Sequence, residues 1–225
     1  IPEEWLRKEF ERSLTDEERA QIQSLGGLDK LIEEFMVLAN VAASEELTRR
    51  KRPLLFRVHE EPSPEKLNAL RDVAEASGFT LAKGQVLQTA HLNRLLGQAE
   101  GTDFDGLINI STLRSMQQAN YAPTNIGHFG LAYDRYSHFT SPIRRYPDLM
   151  LHRAIKAKVL GKKMPVIDYT LEEAGEQTSM TERRAEEASR FVEQWLKAHY
   201  MQAHIGEEFD GVVSAVTNFG LFVTL

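Results

Sequence analysis

The sequence predicts an α+β fold: a helix-rich body followed by a β-hairpin at the C-terminal end. Three features predict it. Apolar residues recur at helical spacing through most of the 225 residues. Ser-Pro pairs, a Thr-x-x-Glu and trailing glycines punctuate those stretches as helix starts and stops. From Gly206 onward the chain turns β-branched, aromatic and glycine-punctuated. Hydrophobic residues make up 42% of the chain, enough for a buried core, which argues against global disorder.

The elements follow in order. Residues 1–27 are polar, with a helix start at Ser13 or Thr15 that Gly26 and Gly27 break. "LDKLIEEFMVLANVAASEELTRR" reads as an amphipathic helix with Leu31, Phe35, Leu38 and Ala42 on one inward stripe. "PLLFRVHE" reads as a short buried strand. Ser63 and Pro64 supply N-cap and N1 of the next helix, and Gly78 its stop. Further helices are expected from Thr89 to Leu96, stopped by Gly97, and from Asp103 to Asn120. Ser141 and Pro142 repeat the cap signature for a helix reaching Val159 or Leu160, with Gly161 behind it. Thr170 and Glu173 form a capping box. The long helix beyond carries Thr181, Ala185, Ala188, Val192 and Trp195 on one stripe and reaches toward Ala203. Two strands with a turn near Thr217–Asn218 close the chain, and a lone hairpin is marginal in water, so a further β domain is expected around it.

Composition excludes several classes. No apolar run approaches the roughly 20 residues that cross a bilayer, so no membrane partner is expected. "IPEEWLRKEFERS" lacks the apolar core of a signal peptide. The first residue is not Met, which leads us to expect a piece of a longer protein. Cysteine is absent: disulfide pairing and Cys-ligated zinc are excluded, in keeping with a cytoplasmic protein. His128, His138 and His152 match no compact metal-ligand spacing. Asp103 and Asp105 could hold Mg²⁺, but acids near a helix start also simply suit the dipole.

Charge is unevenly placed. The chain carries -6, yet residues 128–163 hold eight basic residues and only Asp134 and Asp148 as acids. That island suits a polyanion, and it also suits a solvated basic helix face. Arg144 and Arg145 fall in the first turn of the helix expected from Ser141. Cations there oppose the macrodipole at roughly 0.3–1 kcal/mol each. They make sense if a guanidinium grips an anion bidentately. Tyr133, Tyr136, His138, Phe139 and Tyr146 surround the same place. Rings beside phosphate-binding arginines are what single-stranded nucleic acid needs, though any one ring could equally be core.

Residues 127–155, "GHFGLAYDRYSHFTSPIRRYPDLMLHRAI", closely resemble the signature of the ribonuclease II superfamily (RNB domain). The double arginine, Tyr146-Pro147 and His152 look most like its ribonuclease R branch. "KLIEEFMVLANVAA", "LFRVHEEPSPEKLNAL", "LRSMQQANYAPTNIGHFGLA" and "SMTERRAEEASRFVEQWLK" agree in order. The last twenty residues are similar to the opening of an S1 domain, an OB-fold RNA-binding module. The resemblance assigns 28–204 to the C-terminal portion of the catalytic domain and 205–225 to the start of S1, with 1–27 as a lead-in outside it.

The resemblance implies a processive 3′→5′ exoribonuclease that hydrolyses single-stranded RNA to nucleoside 5′-monophosphates, with Mg²⁺ held by clustered aspartates. It implies that Arg144 is catalytic, stabilising charge at the scissile phosphate. It implies that Tyr136, His138, Ser141 and Arg145 line the RNA channel and that Phe219 and Phe222 stack on bases. The parent enzyme is expected to be a monomer. The nine aspartates include no adjacent pair, so no metal ligand is carried over and the segment alone is expected to be inactive. Ser189 stands where the ribonuclease II branch has a functional glutamate. The rival reading is a non-catalytic RNA-binding or scaffold protein of the same fold.

Overall fold

The computed structural model describes residues 28–81, 87–163, 168–217 and 220–224. In chain order the elements are α1 (Leu28–Arg49), β1 (Phe56–Val58), α2 (Pro64–Ala76), α3 (Thr89–Ala99), α4 (Asp105–Ser115), β2 (Asn120–Ala122), a 3₁₀ turn at Phe129–Leu131, α5 (Tyr146–Val159), α6 (Leu171–Met201), a 3₁₀ turn at Gln202–His204, β3 (Val212–Thr217) and β4 (Gly220–Thr224). β1 pairs with β2, and β3 with β4. The α+β expectation holds. The helix expected at Ser13 or Thr15 lies outside the described residues.

The chain divides into two compact units. The first takes in residues up to Val58, Tyr121–His128 and Tyr133–Gly175. Its core joins Ala43 and Leu47 of α1, Leu54, Phe56 and Val58 around β1, and Leu151 and Ala154 of α5. Burying a leucine such as Leu47 or Leu151 this fully contributes about 1.5–3 kcal/mol. The inward face of α1 is Asn40, Ala43, Ser44 and Leu47. That corrects the expected stripe: Phe35 and Leu38 are exposed. Among the described residues the core partners of α1 meet its C-terminal half, and helical periodicity marks an apolar stripe without showing which side is covered.

The Thr170–Glu173 capping box forms as expected. The Thr170 N–H donates to Glu173 Oε2 at 2.8 Å, and the Glu173 N–H to Thr170 Oγ1 at 3.1 Å. The first turn of α6 then rests on β2. A Cβ at Gly175 would stand 2.7 Å from the Tyr121 carbonyl oxygen, so only glycine permits this approach.

The second unit takes in His59–Asn120, Phe129–Ala132 and the chain from Glu176 on. Leu67, Leu70 and Ala74 of α2 pack with Leu92, Leu95 and Ala99 of α3 and Ile108 of α4. Ser63 caps α2 through Lys66 N–H with Pro64 at the helix start, as expected. Gly97 does not stop α3; the buried Leu95 and Ala99 carry the helix past it. Helix α4 ends at Ser115, five residues short of the expectation. The Met116 carbonyl accepts from Lys66 Nζ (3.2 Å) and the Gln117 carbonyl bonds His59 Nε2 (2.7 Å), so side chains replace the helical partners there. β2 follows at once, a strand the sequence reading missed. Along α6, Val192 and Trp195 are exposed, so the expected stripe is not core among the described residues. β3 and β4 are antiparallel, Val213 opposite Val223 and Thr217 opposite Gly220, with an irregularity between Val213 and Ala215.

Candidate nucleic-acid interface

The helix expected from Ser141 begins later. Pro142–Arg144 form a turn, Arg145 is the N-cap in extended conformation (φ -125°, ψ 121°), and Tyr146 starts α5. Pro147 is the reason. In a helix opened at Ser141 its ring would meet the Ile143 carbonyl and it would have no N–H to give; within the first turn neither matters. The Ser141 carbonyl accepts the Arg144 and Arg145 N–H groups at 3.3 and 3.1 Å. Arg144 therefore sits in the turn before the helix, where the dipole penalty anticipated for it does not apply in full.

The two arginines have different surroundings. Arg145 donates Nε to Asp148 Oδ2 at 2.9 Å and Nη2 to Asp148 Oδ1 at 2.8 Å, a bidentate pair. Asp148 is completely buried and also accepts the Ser141 N–H at 2.7 Å. Placed three residues after the N-cap, its carboxylate satisfies the helix dipole as well. Arg144 is exposed, and among the described residues its guanidinium has no hydrogen-bond or ion-pair partner. Of the pair, Arg144 is the one free to take up an external anion.

The preceding residues are held from α1. Asn40 is 4% exposed. Its Nδ2 donates to Tyr136 Oη at 2.8 Å, and its Oδ1 accepts the N–H groups of Phe139 (2.8 Å) and Thr140 (3.2 Å). Tyr136 is itself buried, with rings of His128, His138 and the exposed Tyr133 around it. Its ring is thus packed among neighbours and presents little surface to a base. Phe139 is likewise committed, stacked at 4.2 Å on His152, whose Nε2 meets the Phe139 carbonyl at 2.8 Å. Ser141 acts through its backbone and is not a helix cap. The Tyr146 hydroxyl meets that of Tyr169.

His138 is half-buried, with Nδ1 2.8 Å from Tyr121 Oη. Burial lowers its pKa from the ordinary 6.5 to about 3, aided by the positive charges of Arg145 and Arg57 and opposed by Asp148. Arg57 lies over the Tyr121 ring, 4.6 Å from its centroid. The structure thus places Tyr136, His138, Ser141 and Arg145 in the segment that carries Arg144, with Arg145 paired to Asp148. Phe222, on β4, is exposed; Phe219 lies outside the described residues.

Sequence reasoning missed Asn40 and Asp148 as parts of this arrangement. The available signals were a lone amide inside the apolar run "VLANVAA" and an acid three residues after Arg145. Among the described residues no three His, Asp or Glu side chains cluster to hold a metal ion. The one fully buried carboxylate among them, Asp148, is already committed to Arg145 and Ser141, so these residues do not fit Mg²⁺. No described helix is long and apolar enough to cross a membrane.

Comparison with known proteins places the chain in a family. Ribonuclease R of Vibrio cholerae serotype O1 is 48% identical over 208 residues, 87% of this chain and 25% of that protein. Ribonuclease R of Escherichia coli K12 is 43% identical over 219 residues, 92% of this chain and 27% of that one. The chain spans about a quarter of the length of these relatives. Mycoplasma genitalium RNase R, solved in complex with ribose methylated single-stranded RNA, matches with a TM-score of 0.76 at 28% identity, covering 87% of this chain and 32% of that one. The model of the RNB domain matches residues 7–161, starting inside the lead-in and ending beyond α5. With that match over more than half its length, the chain belongs to the RNB domain family.

Proposed function

We propose that this chain is the arginine-bearing part of a processive 3′→5′ exoribonuclease that hydrolyses single-stranded RNA to nucleoside 5′-monophosphates. The RNB match, the Ribonuclease R relatives and the RNA-bound Mycoplasma genitalium neighbour support the reading. The observation that carries it is the exposed Arg144, presented on a turn that follows the anchored Thr140 and Ser141 N–H groups. In this reading the Arg144 fork holds a phosphate and stabilises the charge that develops on it. Arg145 is paired with Asp148, which offsets its charge and leaves only part of its guanidinium for RNA. His138 stays neutral and offers a hydrogen bond without adding charge. Residues 205–225 open an S1 domain, with Phe222 and Phe219 on the RNA path. Magnesium belongs to the whole enzyme, on ligands outside the described residues. We assign the enzyme to the cytoplasm as a monomer.

The test is Arg144→Lys in the full-length enzyme, with turnover and RNA affinity measured separately on labelled single-stranded RNA. A point charge cannot replace a planar fork. We expect turnover to fall at least tenfold while affinity changes less than threefold. Equal losses in both would remove the transition-state role.

A further inference from the structure

We infer that Asp148 and Asn40 are positioning residues that hold the turn bearing Arg144 in one conformation, a role that rests on the reading of Arg144 given above. Asn40 takes the Phe139 and Thr140 N–H groups on one side of the turn. Asp148 takes the Ser141 N–H and the Arg145 guanidinium on the other. Only Pro142, Ile143 and Arg144 lie between these anchors, and the ring of Pro142 fixes its own φ.

The holders are themselves informative. Both are buried, so neither meets a ligand directly. A buried amide and a buried carboxylate add little net stability over an apolar pair of similar size. What they supply here is a defined backbone. The loop does not hold itself by its own hydroxyls: Ser137 Oγ and Thr140 Oγ1 are buried and have no hydrogen-bond partner among the described residues. Asp148 also decides which arginine is free. By engaging Nε and Nη2 of Arg145 it keeps that guanidinium folded back, and the adjacent Arg144 is left as the outward fork.

The experiment is a double-mutant cycle in the full-length enzyme on single-stranded RNA. The variants are Asp148→Asn, Arg144→Lys, and both together. Turnover is expressed per folded molecule, and RNA affinity is measured beside it. The Asp148→Asn change keeps the shape of the side chain but turns an N–H group toward Arg145. We expect D148N to lower turnover at least tenfold with affinity changed less than threefold. Added to R144K, it should cost less than threefold more, because it acts through Arg144. Multiplying losses, or unchanged turnover per folded molecule, would overturn the inference.

Should D148N not fold, Asn40→Ala combined with R144K carries the same non-additivity test. Amide exchange across residues 139–145 separates the two levels. If D148N speeds exchange tenfold but R144K leaves turnover intact, the positioning stands and the role of Arg144 falls. If exchange is unchanged, the positioning itself is wrong.

Discussion

Replacing Asn40 by alanine removes three hydrogen bonds that join α1 to a loop about a hundred residues away in sequence. The Tyr136 hydroxyl belongs to a buried ring, so leaving it without this partner costs about 1–3 kcal/mol. The Phe139 and Thr140 amides lie in half-buried residues that water can partly reach, and losing a normal bond there costs about 0.5–1.5 kcal/mol each. The sum is roughly 2–6 kcal/mol, concentrated on residues 136–145. Local opening is read directly by amide hydrogen exchange. At about 1.4 kcal/mol per tenfold, peptides spanning 136–145 should exchange roughly thirty-fold faster or more. Peptides from α2–α4, whose core is separate, should change little. Protection within threefold of the parent across 136–145 would refute the claim that Asn40 holds this loop.

Other outcomes follow from the same contacts. The folded-state pKa of His138, about 3, lies below its ordinary 6.5. Below about pH 6.5 the unfolded chain takes up a proton that the folded chain refuses, so stability falls as pH drops, by up to about 1.4 kcal/mol per unit, and is flat above. The His138 ring resonances should show no inflection between about pH 5 and 8, and His138→Gln should flatten the acid slope; an inflection near 6.5 would show an open, solvated ring. Gly175→Ala forces a Cβ against the Tyr121 carbonyl and should cost about 1–3 kcal/mol in thermal unfolding. An unchanged melting temperature would mean that α6 does not rest on β2.

Much of this arrangement was legible in the residues. Ser63-Pro64 and the Thr170–Glu173 box placed two helix starts, because capping is local chemistry. Ser141-Pro142 carried the same local signal and was overruled by Pro147, which cannot sit beyond the first turn of a helix. The faces of α1 and α6 were misread because periodicity names an apolar stripe, while the neighbours present decide which side is covered. Arg144 stood out by charge. Its supports did not: Asn40 and Asp148 gain their meaning from contacts between distant or oddly spaced residues, and residue spacing does not show which donors a buried oxygen will meet.

The most direct measurement is a structure of the full-length protein with single-stranded RNA held at the step before cleavage. The Arg144 guanidinium should lie within hydrogen-bond reach of a backbone phosphate at the 3′ end, with Arg145 still folded onto Asp148. An Arg144 side chain turned to solvent while RNA is bound, or an Arg145 released from Asp148 to take its place, would contradict it.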